Sequence, residues 1–277
     1  MKLLFLYFSG TGNTDYVTRY LARKLGNTRV ELEMRSIERQ PADQVSDFDL
    51  LAVGFPVYAC DSPDFFQSYL GLLPPGGGRG ALAYCTKGAY AGGAVRRNLQ
   101  RLATRDYVPL AGGSVTMPGT DGLALLPKNS RMARMALEKD FDHLKDADRL
   151  VEQWVRVISD LQHGRPVETL RMSLSGRIRV PLSDRLWAFL YEVAGDWARA
   201  RLQADQRCEG CGLCARICPV DNVEHVNGRP VFGDHCALCM RCIHACPQEA
   251  IQIGKATVDK FRWRGPKGDF KRVRLSV

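Results

Sequence analysis

The chain has 277 residues, of which 45% are hydrophobic, so it is long enough to bury an ordinary core and to form one medium domain and one small domain. No run approaches the roughly eighteen apolar residues that a membrane helix needs. The apolar start, residues 2–8, leads into a glycine loop instead of a signal-peptide cleavage site. The sequence therefore predicts a cytoplasmic protein without a transmembrane segment.

The net charge of +9 is distributed unevenly. Residues 255–277 carry eight Lys or Arg residues against two aspartates. A basic tail can attract nucleic acid, an anionic membrane or an acidic protein. Because no nucleic-acid-binding motif accompanies it, we predict no nucleic-acid partner, and an arm folded back on the body is the simpler interpretation.

Strand-like apolar runs alternate with helical patterns along the N-terminal part of the chain, an order typical of a parallel sheet covered by helices on both faces. The five predicted strands span residues 3–8, 30–34, 50–55, 80–85 and 108–116. The predicted helices span residues 14–25, 63–73, 92–103 and, as one long helix, 129–162.

A glycine-rich loop follows the first strand, and it consists of Ser9, Gly10, Thr11, Gly12, Asn13 and Thr14. Its small residues let backbone N–H groups converge at a helix N-terminus, which predicts a phosphate-binding loop. The loop matches neither a Walker A motif nor a dinucleotide-binding motif. Any sharp turn into a helix also favours glycine, so this loop alone leaves a purely structural role open.

The loop resembles the phosphate loop of the flavodoxin family at Ser9, Thr11, Gly12 and Thr14. Two later loops are similar to the loops that flank the flavin in that family. The first comprises Gly54, Phe55, Pro56, Val57, Tyr58 and Ala59. The second comprises Thr86, Lys87, Gly88, Ala89, Tyr90, Ala91, Gly92 and Gly93.

The resemblance implies an α/β fold with a flavodoxin-like, doubly wound, five-stranded parallel sheet of order 2-1-3-4-5. All three loops would then open into one crevice at the carboxyl ends of the strands and bind FMN there. Tyr58 or Tyr90 would stack on the flavin ring. Lys87, or backbone N–H groups of its loop, would stabilise negative charge on reduced flavin. A role in capping the sheet stays open for Tyr58 and Tyr90, and an ordinary surface role stays open for Lys87.

The segment between the two modules, residues 164–204, matches neither of them. Apolar side chains recur there at helical spacing: Leu182, Leu186, Phe189 or Leu190, Val193 and Trp197. They predict an amphipathic helix whose apolar stripe docks the two domains, with binding to a membrane surface as the alternative.

Eight of the ten cysteines form two runs of the pattern C-x2-C-x2-C-x3-C-P. The first run contains Cys208, Cys211, Cys214 and Cys218, and the second contains Cys236, Cys239, Cys242 and Cys246. This spacing presents three thiolates to one 4Fe-4S cluster while the fourth points toward the other run. The main alternative is a zinc ribbon, and a disulfide scaffold is weaker because the chain lacks a secretory signal.

The two runs repeat with a period of 28 residues and resemble the bacterial two-cluster ferredoxin, a small α+β domain. That family implies two ligand sets, one of Cys208, Cys211, Cys214 and Cys246, the other of Cys236, Cys239, Cys242 and Cys218. An Asn227-Gly228 turn between the runs predicts a hairpin. His235 and His244 lie beside ligands. Hydrogen bonding to sulfur, which would tune the cluster potentials, is one role open to them, and we interpret both as surface residues.

The whole chain thus resembles a flavodoxin-ferredoxin fusion of the iron-sulfur flavoprotein type. The predicted domains are a flavodoxin-like domain (1–163), a linker with an amphipathic helix (164–204), a two-cluster ferredoxin domain (205–255) and a basic tail (256–277). The sequence-based cofactors are FMN and two 4Fe-4S clusters.

The expected function is electron transfer between the clusters and FMN, with a redox partner protein or a small electron acceptor. Direct reduction of a small acceptor such as a quinone at the flavin is the alternative, and a redox sensor or nucleic-acid-binding protein is a weaker one. No catalytic acid or base stands out, and a homodimer is compatible with the sequence.

Overall fold

The computed structural model describes residues 1–170 and 181–268. Within them the chain forms two compact units, each assembled from several segments. The first unit comprises residues 1–9, 14–117 and 142–187, and the second comprises residues 10–13, 118–141 and the chain from residue 188 onward.

The strands in chain order are β1 (Lys2–Tyr7), β2 (Glu31–Ser36), β3 (Leu50–Pro56), β4 (Gly80–Lys87), β5 (Val108–Thr116), β6 (Leu202–Ala204), β7 (Val223–Val226), β8 (Arg229–Phe232) and β9 (Ile251–Ile253). The helices are α1 (Asn13–Leu25), α2 (Asp64–Leu72), α3 (Ala94–Ala103), α4 (Thr120–Leu123), α5 (Arg131–Leu137), α6 (Lys145–Gln162), α7 (Leu182–Arg199), α8 (Leu213–Arg216) and α9 (Arg241–Ala245).

The first unit is built on a five-stranded sheet of order β2-β1-β3-β4-β5 in which all neighbours are parallel. This order and the flanking helices confirm the predicted flavodoxin-like fold. The central strands are buried along nearly their whole length, as a sheet covered on both faces requires. In the core, the Trp154 ring of α6 lies 6.1 Å from the Phe5 ring and 5.9 Å from the Tyr84 ring.

The predicted single helix at residues 129–162 is wrong, because the chain leaves the helical conformation between α5 and α6. Phe141 and Leu144 are both buried within this break. Leu144 precedes α6 with a φ of −93° and a ψ of 87°, which is not helical. In a continuous helix the directions of these two side chains would be fixed by the helix geometry. The irregular segment frees the backbone so that both side chains become buried.

The second unit contains two antiparallel pairs, β6 with β9 and β7 with β8. Asn227 and Gly228 both have positive φ, so the predicted hairpin turn is confirmed. The short helices α8 and α9 lie at matching positions in the two cysteine runs. Their core contains Val223, Ile243, Ile251 and Ile253.

Helix α7 confirms the amphipathic helix predicted in the linker, but its stripe is not buried. The predicted stripe residues are all exposed. The opposite face is the buried one, and it carries small or polar residues, including Asp184, Gly195 and Ala198. A Cβ atom at Gly195 would come within 2.8 Å of the Leu238 side chain, so glycine permits close packing there. Docking of the two domains through this stripe stays a prediction.

Among the described residues, no helix combines the length and the apolar character needed to cross a membrane.

Candidate functional site

The three loops predicted to bind flavin follow β1, β3 and β4, which are neighbours in the sheet. Because the strands are parallel, their carboxyl ends lie at the same edge. Tyr7 pairs with Gly54, and Pro56 pairs with Thr86, so the ends are also in register. The hydroxyls of Thr14 and Thr86 share a hydrogen bond of 2.8 Å, which joins the end of the first loop to the start of the third.

The first loop runs from Ser9 to Thr14 and is buried throughout. Gly12 has a φ of 93°, a conformation that a residue with a side chain rarely adopts. Among the described residues, the Oδ1 atom of Asn13 is buried and has no hydrogen-bond partner. A buried acceptor without a donor is costly unless a ligand supplies one.

The second loop forms a tight turn in which Tyr58 and Asp61 exchange backbone hydrogen bonds of 2.7 and 2.9 Å. The two central residues, Ala59 and Cys60, both have left-handed φ values, 48° and 65°. This conformation costs about 1–2 kcal/mol for each non-glycine residue, so the surrounding contacts must hold the turn in place.

Side chains of α3 supply those contacts. Arg97 donates through one guanidinium nitrogen to the carbonyl oxygen of Cys60 and through Nε to Asp61 at 3.0 Å. Arg101 donates to both carboxylate oxygens of Asp61 at 3.0 and 2.9 Å. Asn98 donates to the same carboxylate at 3.0 Å. The second loop is thus fixed by two arginines and an amide that the sequence patterns did not indicate.

The third loop is fixed by Asp184, in the first turn of α7. Its carboxylate accepts hydrogen bonds from the Tyr90 hydroxyl at 2.7 Å and from the Gly93 backbone N–H at 2.9 Å. It also accepts one from Arg97 at 3.2 Å. Arg97 therefore contacts the second loop directly and is linked to the third loop through Asp184. Lys87 lies at the start of the third loop, and its Nζ donates to the carbonyl oxygen of Ala89 at 3.4 Å.

The charge of Asp184 is stabilised in this position. Burial opposes ionisation, but the hydrogen bonds from Tyr90, Gly93 and Arg97 outweigh it and lower the pKa below its ordinary value of 3.8. Tyr90 is 46% exposed and directs its hydroxyl to Asp184. An ionised Asp184 thus holds the third loop at physiological pH.

Residues 10–13 of the first loop belong to the second unit. There, Arg241 donates through Nε to the carbonyl oxygen of Gly10 at 3.0 Å. Thr11 shares a hydroxyl hydrogen bond of 3.1 Å with Thr120, and Asn13 donates to the carbonyl oxygen of Pro118 at 2.8 Å. The middle of the predicted phosphate loop is therefore held by the unit that contains the two cysteine runs.

The first predicted ligand set lies around one pocket. The walls of this pocket include all four cysteines of the first set, Cys208, Cys211, Cys214 and Cys246, together with Cys242 of the second set. Apolar side chains such as Ile217 and Ile251 also line the pocket. Burial raises the pKa of Cys214, and the charges of Cys208 and Cys211 raise it further. The structure thus brings a cysteine of the second run to three cysteines of the first.

The second set is also close together. Burial raises the pKa of the Cys242 thiol well above its ordinary value, and the charges of nearby thiols add to this effect, including those of Cys239, Cys236 and Cys218. Burial likewise raises the pKa of Cys239 to about 11, while the Arg241 guanidinium opposes the shift. Cys218 of the first run therefore lies within electrostatic range of the second run.

All ten cysteines are free thiols, so the disulfide alternative is wrong. In the described part of the chain, no group of three or more His, Cys, Asp and Glu side chains is arranged to hold a metal ion.

His244 is fully buried, so the expectation of a surface position is wrong for this residue. Its Nε2 lies 2.9 Å from the carbonyl oxygen of Thr120, and its Nδ1 accepts a hydrogen bond of 3.0 Å from the Trp263 backbone N–H. Burial lowers its pKa to about 4, so the ring is neutral at pH 7. His235, in contrast, is exposed as expected.

The residues that hold the three loops but were not predicted are Asp61, Arg97, Asn98, Arg101, Thr120, Asp184 and Arg241. The only sequence signal among them was an acidic residue at the start of the predicted linker helix, Asp184. An acid in the first turn is favourable for any helix, so this signal does not indicate a link to the third loop.

No protein-family model matches the sequence, and no curated protein matches it. Solved structures are similar to part of it. A flavodoxin from the domain Archaea is 15% identical, with a TM-score of 0.42, and the match covers 59% of this chain and all of that one. A flavodoxin of Streptococcus pneumonia TIGR4 is 14% identical, with a TM-score of 0.43 and 58% and 99% coverage. Oxidised flavodoxin 2 from Bacillus cereus is 17% identical, with a TM-score of 0.41 and 59% and 99% coverage.

Proposed function

We propose that this chain is an electron-transfer protein that binds FMN in its first three loops and two 4Fe-4S clusters in its cysteine runs. The observation that carries the proposal is the pocket that joins Cys246 to Cys208, Cys211 and Cys214. Such an exchange of the fourth ligand between runs is the arrangement expected for a two-cluster ferredoxin. Each iron of a four-iron cluster binds its own thiolate, so the ligands need not converge on a single ion.

The first loop fits the phosphate end of FMN. Its residues are buried, and Gly12 has the backbone conformation of a tight turn. The loop also leads directly into α1, whose N-terminus favours an anion. Ser9 through Thr14 would therefore hold the phosphate, and the Tyr58 and Tyr90 loops would flank the flavin ring.

A flavin exchanges one or two electrons and each cluster exchanges one, so together they connect two-electron and one-electron chemistry. The residues of this chain contribute rigid positions for both kinds of group. Asp184, Arg97 and Asp61 fix the two loops that would flank the ring. Apolar neighbours of the cysteines limit the access of water to the sulfur atoms, which affects cluster potentials.

Cys60 and Cys85 have no part in this proposal. Both are buried, and burial raises the pKa of Cys85 to about 12, so it stays a neutral thiol. The cluster thiolates require a compartment that keeps thiols reduced, which agrees with a cytoplasmic location. The partner would be a redox protein or a small electron acceptor.

Anaerobic reconstitution with iron, sulfide and FMN tests this function. We expect about eight irons and one FMN per chain. Cys246→Ser should lose about half of the iron and retain FMN, because this residue belongs to one cluster only. Cys85→Ser is the matched control at a cysteine outside both runs, and it should retain all the iron. A protein that binds zinc in place of clusters and takes up no FMN would contradict the proposal.

Direct reduction of a small acceptor such as a quinone is the second candidate function. It is favoured by the exposure of Gly88, Ala89 and Tyr90 in the third loop, where an acceptor could approach a bound flavin. An anaerobic redox titration with candidate donors and acceptors separates the two functions. Rapid turnover of the small acceptor would favour the reductase.

A further inference from the structure

The two cysteine runs have the same spacing but differ at two positions where the backbone is left-handed. Two and four residues after its first cysteine, the first run has Gly210 and Gly212, with φ values of 71° and 69°. The second run has Leu238 and Met240 at these positions, with φ values of 52° and 60°. Glycine adopts this conformation freely, whereas residues with a side chain rarely do. The second run thus keeps two large side chains at positions that favour glycine.

Both of these side chains pack in the interior of the second unit. Met240 is 8% exposed and belongs to a core cluster that includes Ala198 of α7. Leu238 packs against the same cluster, and its Cδ1 atom is so close to α7 that a Cβ atom at Gly195 would lie 2.8 Å from it. Unfavourable backbone conformations persist where the surrounding structure requires them, and they cluster at functional sites. Packing against α7 therefore offsets the cost of the two left-handed residues.

Helix α7 lies along the second run. Arg199 donates through Nε to the carbonyl oxygen of Cys236 at 2.9 Å. Burial raises the pKa of Tyr191, and nearby charges, including those of Cys239 and Cys236, raise it further. Tyr191, Gly195 and Arg199 follow one another at intervals of four residues, so they lie on one face of the helix. That face of α7 covers the second run.

The first run is more open to solvent. Its Cys211 is exposed. A Cβ atom at Gly212 would lie 3.0 Å from Nη1 of Arg216, which is the end of an exposed, flexible side chain. Gly210 adjoins the backbone of Gly228 in the hairpin turn, and Gly228 is itself exposed. Glycine backbone next to exposed groups therefore occupies the positions at which the second run has large, packed side chains.

We propose that the two clusters have different tasks. The first cluster, at the exposed Cys211, exchanges electrons with a redox partner outside the protein. The second cluster, covered by Leu238, Met240 and α7, exchanges electrons only within the protein. This inference rests on the proposed function, because it requires both clusters.

The chemistry of the clusters defines the class of the partner. Each cluster exchanges one electron, so the partner at Cys211 is a one-electron carrier protein. In each exchange the carrier loses or gains one electron and the first cluster gains or loses one. A carrier exchanges electrons most readily with the group that it can approach most closely. Cys211 permits such an approach, whereas at the second run a carrier would meet Leu238 and α7.

Single-cluster variants of the full chain test this division. Cys218→Ser should retain the first cluster and Cys246→Ser the second, each with about four irons after reconstitution with iron and sulfide. Both variants are prepared without FMN, so that no flavin carries electrons. After reduction, the one-electron oxidant ferricyanide should oxidise Cys218→Ser at least about tenfold faster than Cys246→Ser. The rates are measured in high salt, which screens surface charges.

Removal of the Leu238 side chain should open the second cluster. Leu238→Gly, added to Cys246→Ser, keeps a residue that tolerates the left-handed backbone and should speed oxidation at least about threefold. Asp259→Gly in the same background is the matched control and should leave the rate unchanged. Asp259 also has a left-handed φ, 56°, but it is exposed and lies outside both runs.

Wild-type protein with both clusters provides a second measurement. A bulky, hydrophilic iron chelator should remove about half of the iron quickly and the other half at least about tenfold more slowly. Leu238→Gly should speed the slow half alone. A wild-type chain that takes up no iron would contradict the proposed function itself. Full iron uptake with equal oxidation rates, with iron release in a single phase, or with no effect of Leu238→Gly would overturn this inference alone.

Discussion

Helices α6 and α7 both have 18 residues and both are amphipathic, but they use their apolar faces in opposite ways. α6 buries its large apolar side chains, Leu150, Trp154, Val157 and Ile158. α7 buries small and charged residues and exposes its large apolar ones. An apolar stripe therefore shows which side chains lie on one side of a helix, but it does not show what that side contacts.

The two helices are also held in place by different kinds of interaction. α6 is held by packing, since its Trp154 ring contacts the aromatic core of the sheet. α7 is held at its first turn by hydrogen bonds to a carboxylate and further along by close packing of small residues. Substitutions on the two helices should consequently have different effects on stability.

Trp154→Ala should have the largest effect. The side chain is fully buried, so its removal loses apolar burial and leaves a cavity, which typically costs about 3–5 kcal/mol. Denaturant unfolding measures this loss. A change below about 1 kcal/mol would show that α6 is not held by its apolar face.

Asp184→Ala on the buried face of α7 should have an intermediate effect. It removes the acceptor for Tyr90, Gly93 and Arg97, and the buried guanidinium of Arg97 loses one of its partners. The expected loss is about 1–3 kcal/mol of unfolding free energy. Glu192→Ala, at an exposed acidic position further along α7, is the control and should be close to neutral.

Asp184→Asn sharpens this prediction through pH. The pKa of Asp184 is lowered in the folded protein, so its charge stabilises the fold above the ordinary pKa of 3.8 and loses this effect as pH falls through the lowered value. Asparagine does not titrate. The stability difference between wild type and variant should be constant above about pH 5 and shrink below about pH 4. A difference that stays constant in acid would exclude the carboxylate charge as the cause.

The smallest effect is expected for Leu186→Ala in the exposed apolar stripe of α7. Because Leu186 is exposed, unfolding free energy should change by less than about 0.5 kcal/mol. Leu150→Ala in α6 is the matched comparison, and it should cost about 2–5 kcal/mol because Leu150 is buried. Similar losses of unfolding free energy for the two variants would show that the two helices do not differ in how much their apolar side chains stabilise the fold.

Much of the first unit was predictable from the sequence. The alternation of apolar runs and helical patterns indicated all five strands. Parallel pairing then places the loops after β1, β3 and β4 at the same edge of the sheet. Local patterns suffice here because each central strand is buried on both faces and carries a nearly continuous apolar run.

The remaining features depend on contacts between distant segments. The break between α5 and α6 could be predicted only if the burial of both Phe141 and Leu144 were known. The burial of His244 depends on Thr120 and Trp263, which lie far from it in the chain. The role of Asp184 depends on Tyr90 and Gly93 in the same way. No local periodicity contains this information.

The hydrogen bond from Arg241 to Gly10 joins residues 231 positions apart. Contacts over so long a separation in the chain form slowly. In addition, a chain is synthesised at only about 5–20 residues per second. The strands of the first unit are complete long before Arg241 leaves the ribosome. The N-terminal loop therefore acquires this partner only near the end of translation, so a nascent chain would pass through a stage in which the sheet has formed and this loop is still incomplete.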